Sequence, residues 1–209
     1  MNKESIQRCS WATTELYKKY HDEEWGKPLH NEQILFEMLL LECMQAGLSW
    51  ITILNKRESF RKAFDNFDYR KIALYDDKKQ EELMQNELII RNKAKIKAVI
   101  INAQKFIEVQ EKYGSFDKFI WSYTQNKVIY NHFDNESQIP ATSLLSDKIS
   151  KDLKKLGFKF IGSTSVYAYI QSIGIVNDLS LINIWRCRWF SLRWYRCLQK
   201  QWKNNDYTL

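Results

Sequence analysis

The stretch LECMQAGLSW, residues 41–50, places a carboxylate where a helix should be buried. Wound at about 100° per residue, residues 31–47 bring Glu42 close to the middle of an apolar face, and Gln45 points the same way. That face consists of Ile34, Leu35, Met38, Leu39 and Leu41. A buried carboxylate is costly unless it is paired, hydrogen-bonded or protonated, so the sequence predicts a partner or a ligand for Glu42.

Two interpretations of Glu42 remain open from the residues alone. In the first it is a core residue satisfied by a buried amide or hydroxyl. In the second it faces a pocket and accepts hydrogen bonds from a polar ligand, with Trp50 stacked one turn beyond the break at Gly47. Ser49 is placed to cap the helix that follows. A nucleobase suits the second interpretation, because it has both a hydrogen-bonding edge and a flat face.

Aromatic residues and two candidate metal ligands lie upstream, in CSW (9–11) and YHDEEWG (20–26). Trp11, Tyr20 and Trp25 are either core residues or walls of the same pocket. Cys9 and His21 could bind a metal, but a zinc site needs four ligands and these two alone are a weak signal.

The segment LGFKFIGSTS, residues 156–165, lies between two predicted helices. Gly157 is expected to end the first helix, and Gly162 allows close approach before Ser163 or Thr164 caps the second. Successive backbone N–H groups at the start of the second helix would form a cradle for an anion such as a DNA phosphate. An ordinary tight turn is the alternative.

Helical periodicity and the six glycines predict an all-α fold without alternating strands. The predicted helices cover residues 12–20, 31–46, 50–65, 69–75, 78–85, 91–112, 116–124, 143–156 and 163–173. Residues 125–142 form the longest predicted loop. Residues 1–178 are assigned to one domain, and residues 179–209 to a divergent, basic, Trp/Arg-rich tail.

The tail dominates the net charge of +7. Residues 179–209 contain six basic residues and one acidic residue, so they account for +5, and residues 1–178 carry only +2. Binding to nucleic acid therefore needs local evidence. The tail also holds four of the eight tryptophans, and it is either an amphipathic interaction helix or the product of a shifted reading frame.

The chain is expected to be a cytoplasmic protein. It has no apolar run long enough to span a membrane, and its polar beginning contains no signal region. Its four cysteines, Cys9, Cys43, Cys187 and Cys197, have irregular spacings that favour reduced thiols or metal ligands over a disulfide framework.

Over residues 9–178 the chain resembles the 3-methyladenine DNA glycosylase I family, the Tag type of the helix-hairpin-helix glycosylases. The matching motifs are CSW, YHDEEWG, LFEMLLLECMQAGLSWITIL, IIRNKAKIKAVIINA, WSY, LKKLGFKFIGST and GIVND, in this order. The resemblance implies a helix-hairpin-helix fold of two helical lobes with a base pocket between them. It also implies a monofunctional enzyme that flips 3-methyladenine out of alkylated double-stranded DNA and hydrolyses its N-glycosidic bond. The protein is expected to be a monomer.

The resemblance also assigns roles to individual residues. Glu42 is the catalytic residue that hydrogen-bonds the flipped base, aromatic walls match Trp11, Tyr20 and Trp50, and Tyr17 lies near the pocket. The hairpin that grips the DNA backbone matches Gly157, Lys159, Gly162, Ser163 and Thr164. A 3-methylated adenine is a cationic leaving group with an already weakened bond, so little general-acid assistance is required. No aspartate is implied as an activator of water.

The resemblance also implies a structural zinc, but this chain differs from the family at two of the four ligand positions. Family members bind it through residues that match Cys9 and His21, and through a histidine and a cysteine after the VND segment. Leu179 and Asn183 stand at the latter two positions. The ligand set is therefore incomplete unless Cys187 and Cys197 substitute, and loss of a structural ion would affect stability more than chemistry.

Two other classes of function stay open from the sequence. One is a catalytically silent helical DNA-binding module that keeps the base pocket. The other is a helical interaction protein that acts through its basic aromatic tail.

Overall fold

The computed structural model describes residues 8–133 and 135–178, and the tail at 179–209 lies outside the described residues. The helices are α1 (Glu15–Glu23), α2 (Glu32–Gln45), α3 (Trp50–Ala63), α4 (Tyr69–Ile72), α5 (Asp77–Gln85), α6 (Lys93–Tyr113), α7 (Phe116–Ser122), α8 (Leu144–Lys155) and α9 (Ser163–Ser172). Short 3-10 turns cover Asp65–Phe67 and Glu136–Gln138. The all-α prediction is confirmed. Among the described residues, no helix has the length and apolarity needed to cross a membrane.

Two short strands occur that the sequence did not indicate. Strand β1 (Ile129–Tyr130) pairs in parallel with β2 (Val176–Asn177). Two residues are too few to show an alternating pattern in the sequence, so the pairing has no local signal. It joins the predicted loop at 125–142 to the segment that follows α9.

Helix α2 is the central helix, and it packs against α3, α6, α7 and α9. Every residue from Leu35 to Met44 is buried. The single apolar face predicted from the sequence was therefore too narrow, because a helix packed on all sides has no solvent face. Ile34, placed on that face, is 39% exposed, since it lies in the first turn beside the Asn31 cap.

A lysine on α6 stabilises the turn that follows α2. Gly47 has a φ of +78°, a left-handed conformation that favours glycine. The ammonium of Lys95 is nearly buried and donates hydrogen bonds to the carbonyls of Met44 at 2.9 Å and Ala46 at 2.7 Å. Carbonyls at a helix end otherwise lack partners, so Lys95 caps α2 and orients the turn that leads into α3.

Helices α8 and α9 form the predicted hairpin, with Gly157 at a φ of +97° after α8. Gly162 is the N-cap residue of α9, so the prediction that Ser163 or Thr164 caps this helix is wrong. Ser163 lies inside the first turn, where its hydroxyl donates to Asp147 at 2.5 Å and pairs with the hydroxyl of Ser146 at 2.8 Å. Its side chain is thus engaged by α8.

The end of α9 packs closely on the segment before α2. A Cβ atom added to Gly174 would lie 2.4 Å from the main-chain carbonyl carbon of Lys27, and its φ is +75°. The N–H of Leu29 donates to the carbonyl of Ile173 at 3.1 Å. This contact brings the aromatic residues around α1 next to α9.

Candidate active site

Residues from four helices, α1, α2, α3 and α9, and from the segments that flank α1 line a cavity of about 200 Å³. It is lined by Trp11, Tyr17, Tyr20, Trp25, Glu42, Gln45, Trp50, Ala168 and Gln171. The five residues assigned to catalysis and base binding from the sequence are all brought together here. Gln45, which was expected to share the direction of Glu42, lines the cavity too.

Glu42 enters the cavity from the most buried helix of the fold and is itself 4% exposed. Its Oε2 atom is buried, and no hydrogen-bond partner for it lies within the described part of the chain. Burial raises the pKa of Glu42 from 4.5 to about 8, which favours the protonated carboxyl at neutral pH. Of the two interpretations of Glu42, the geometry favours the one in which this group meets a ligand.

The aromatic residues form a continuous wall beside Glu42. The ring centroid of Trp11 lies 5.1 Å from that of Tyr17 and 6.4 Å from that of Tyr20, which in turn lies 5.6 Å from the ring of Trp50. The indole Nε1 of Trp50 is buried and has no partner among the described residues. Burial, with a smaller contribution from Glu42, raises the pKa of Tyr20 well above 10, so its phenol keeps its proton. The cavity therefore offers flat apolar faces together with unsatisfied polar atoms.

Three lining residues were not assigned to the site from the sequence. Trp25 was left open between a core residue and a pocket wall and received no assigned role, and its ring centroid lies 5.4 Å from that of Trp11. Ala168 and Gln171 reach the cavity from α9, more than a hundred residues along the chain from Glu42. Nothing in the local sequence of α9 marks them, because their role arises only from the packing of α9 against α2.

Asp178, for which no catalytic role was predicted, forms a buried cluster behind Gln171. Its Oδ2 atom accepts hydrogen bonds from the phenol of Tyr167 at 2.7 Å and from Nε2 of Gln171 at 2.6 Å. Its Oδ1 atom accepts from Nδ2 of Asn131 at 2.6 Å. Asp178 is 5% exposed and is not among the cavity-lining residues, so it supports the site from outside.

The predicted DNA-binding hairpin, residues 156–165, contributes no residue to the lining of the cavity. The side chains of Lys159 and Thr164 are exposed, whereas Gly157, Gly162 and Ser163 are half-buried. Phe160 at the tip has a φ of +55° and is 41% exposed. A bulky residue in the left-handed region is uncommon and indicates a turn whose shape is imposed by its surroundings. Contact between this hairpin and DNA remains a prediction.

The two N-terminal zinc-ligand candidates are adjacent. The backbone N–H of Cys9 donates to Nε2 of His21 at 3.4 Å, and both residues are buried. No group of three or more histidine, cysteine, aspartate or glutamate residues placed to hold a metal occurs at 8–133 or 135–178. The side chain of Leu179 has no atom that could bind a metal. Cys9 and His21 therefore lack one of the two further ligands that a tetrahedral zinc site would need at the matching positions.

Known proteins share both the sequence and the fold. The family model for methyladenine glycosylases matches residues 11–184. A DNA-3-methyladenine glycosylase of Haemophilus influenzae is 45% identical over 172 residues, which cover 82% of this chain and 93% of that protein. A crystal structure of 3-methyladenine DNA glycosylase I (TAG) has a TM-score of 0.80 at 43% identity and covers 82% of this chain and 95% of its own. A second structure, of the Staphylococcus aureus enzyme and its recognition of 3-methyladenine, has a TM-score of 0.80 at 34% identity, with coverages of 83% and 93%. The chain therefore belongs to the methyladenine glycosylase family.

Proposed function

We propose that this protein removes 3-methyladenine from alkylated DNA by hydrolysing the N-glycosidic bond, as the first step of base excision repair. The observation that carries the proposal is the unpartnered Oε2 atom of Glu42, buried in an aromatic-walled cavity. Relatives named for this activity, and a related structure described by its recognition of 3-methyladenine, support it.

The electrostatics of the cavity favour a cationic base over a neutral one. Burial raises the pKa of Glu42 to about 8, which favours the protonated carboxyl when no cation lies beside it. A positively charged 3-methyladenine nucleotide would stabilise the ionised carboxylate, and the proton would leave on binding. Neutral adenine provides no such stabilisation. Stacking and cation–π contacts with Trp11 and Trp50 add about 1–3 kcal/mol for each good contact.

Recognition rather than acid catalysis therefore accounts for selectivity. The methylated base is a good leaving group, so binding it in the flipped position is the demanding step. Flipping costs a few kcal/mol of unstacking and unpairing, which contacts to the base and to the DNA backbone must offset. We assign the backbone contacts on double-stranded DNA to the hairpin at 156–165, where the amides at the start of α9 and the exposed Lys159 and Thr164 side chains are available.

Three further properties belong to this proposal. The protein is expected to act as a monomer. It acts in the cytoplasm, in keeping with Cys9 and Cys43, which are free thiols. The structural zinc implied by the resemblance is not expected to be retained, because Cys9 and His21 are the only two of its four ligands present at matching positions, with Leu179 and Asn183 at the others.

The test is release of free 3-methyladenine from methylated duplex DNA by the full-length protein. Wild type is expected to release the base, and Glu42→Gln to release it at least tenfold more slowly, because the amide cannot become an anion. Glu108→Gln is the matched control, since Glu108 pairs with Lys105 on the surface of α6, outside the cavity. A wild-type protein that binds methylated DNA without releasing base would favour the catalytically silent module.

A further inference from the structure

The amide of Gln171 is held in one orientation at the edge of the cavity. Its Nε2 atom donates to Oδ2 of Asp178 at 2.6 Å, and the residue lines the cavity with Glu42. A free glutamine amide can turn over and exchange its donor and acceptor ends. A carboxylate only accepts hydrogen bonds, so Asp178 keeps the nitrogen end towards itself and the oxygen end away.

Asp178 is itself fixed by two other donors. The phenol of Tyr167 donates to the same Oδ2 atom at 2.7 Å, and Asn131 donates to Oδ1 at 2.6 Å. Burial, followed by the hydrogen bond to Asp178, raises the pKa of Tyr167, so the phenol remains a donor. The carboxylate is buried and cannot turn without losing one of these bonds. The orientation of Gln171 therefore depends on a cluster outside the cavity.

We propose that Gln171, held by Asp178, is a specificity-determining residue whose Oε1 atom accepts a hydrogen bond from the exocyclic amine of the flipped base. The inference rests on the proposed glycosylase activity and extends it to the choice between purines. Adenine carries an amine at the position where guanine carries a carbonyl oxygen. A fixed acceptor accepts from the amine and repels the carbonyl, so the site selects 3-methyladenine over 3-methylguanine. In this arrangement Asp178 is a positioning residue.

A mismatched acceptor pair in a buried site costs roughly tenfold or more in discrimination. Two substitutions remove the fixed acceptor in different ways. Gln171→Met keeps the shape of the side chain without its polar end. Asp178→Asn keeps the shape of the partner but offers both a donor and an acceptor, which frees the Gln171 amide to turn over.

The experiment measures kcat/KM for release of 3-methyladenine and 3-methylguanine from methylated duplex DNA by the full-length protein. The ratio of the two values is expected to fall at least tenfold in Gln171→Met and in Asp178→Asn. Tyr123→Phe is the matched control, because it removes a phenol that donates to a different carboxylate, that of Asp152, outside both the cavity and the Asp178 cluster. It should lower thermal stability but leave the ratio unchanged, which separates specificity from a general loss of folding.

Equilibrium binding of the free bases, followed by tryptophan fluorescence of the same proteins, gives a second readout. A loss of preference for free 3-methyladenine over free 3-methylguanine in both variants supports the inference. An unchanged ratio in both variants, by release and by binding, overturns it. If wild type releases neither base, the proposed activity fails, and the preference in free-base binding still decides the role of Gln171.

Discussion

The side-chain amide of Asn102 forms hydrogen bonds with both the N–H and the carbonyl of Lys159. Its Oδ1 atom accepts from the Lys159 N–H at 2.7 Å, and its Nδ2 atom donates to the Lys159 carbonyl at 3.0 Å. Asn102 is 3% exposed and projects from α6, the longest helix in the described part of the chain. A rigid helix therefore holds the middle of the hairpin and fixes the strained turn at Phe160.

Replacing Asn102 by alanine should weaken binding to DNA more than binding to the free base. The change removes the partner of the Lys159 N–H and leaves the Lys159 carbonyl only the contact from the Cys43 thiol at 3.7 Å, which costs about 1–3 kcal/mol of folding free energy. A less ordered hairpin should bind the DNA backbone more weakly, so KM for methylated DNA should rise. The affinity for free 3-methyladenine should stay equal to that of wild type. Fluorescence titration and steady-state kinetics measure the two quantities.

Gln104→Ala is the control for that change. It removes an amide from the same helix, and the amide donates only to the carbonyl of Ala73 at 3.0 Å on an exposed face. It should alter neither KM nor base binding. Equal loss of both functions in Asn102→Ala would show that Asn102 supports the whole fold rather than the hairpin.

The stability that Glu42→Gln gains relative to wild type should increase as the pH rises. Burial raises the pKa of Glu42 from 4.5 to about 8, so between these values the folded protein holds a proton that the unfolded chain has released. The free energy of unfolding of wild type therefore falls as the pH increases through this window. Glutamine does not ionise, so the variant does not undergo this decrease in the free energy of unfolding, which amounts to about 3 kcal/mol near pH 7.

Urea unfolding between pH 4 and pH 8 measures this difference. The gap between Glu42→Gln and wild type should widen steadily as the pH rises and should be smallest near pH 4. Glu108→Gln, on the surface, should show no comparable widening. A constant gap across the range would mean that Glu42 is ionised in the empty cavity, in conflict with its unpartnered burial.

The sequence was sufficient to predict the part of the site that depends on local periodicity. Glu42, Gln45 and Trp50 lie on one helix and just beyond its end, so their common direction follows from the helical repeat. The aromatic residues of the YHDEEWG and CSW motifs were placed by resemblance. Burial of Glu42 followed from the apolar residues around it in the sequence.

What the sequence could not predict depends on contacts between distant segments. Gln171 and Asp178 matter because α9 packs on α2, and no pattern within α9 or in the segment after it distinguishes these two from ordinary surface residues. The cap of α9 was misassigned because Ser163 is engaged by Asp147 on α8, a tertiary contact that overrides the local preference of serine for the N-cap position. The strand pair of β1 and β2 was missed because its two residues per strand carry no periodicity.

Lys95→Met should disturb the approach to the cavity through the turn after α2. The substitution removes two hydrogen bonds to the carbonyls of Met44 and Ala46 and leaves the end of a buried helix uncapped. The expected destabilisation is about 1–3 kcal/mol. Trp50 follows this turn, so affinity for free 3-methyladenine should also decrease.

Lys97→Met, on the exposed side of the same helix, is the control and should change neither quantity. Thermal melting and fluorescence titration provide the two measurements. Unchanged stability and unchanged base binding in Lys95→Met would contradict the capping role of the ammonium.

The purified full-length protein should contain less than one zinc ion per chain, and chelation should leave its melting temperature unchanged. Leu179 and Asn183 stand where two ligands are needed, and leucine offers no donor atom. The N-terminal segment is held without metal, because Arg8 pairs with Asp22 at 2.8 Å and the hydroxyl of Ser10 donates to Glu136 at 2.6 Å. Metal analysis on protein of verified intact mass decides the matter. One equivalent of zinc that is lost in a Cys187→Ser, Cys197→Ser double variant, but kept in Cys43→Ser, would show instead that the tail completes the site.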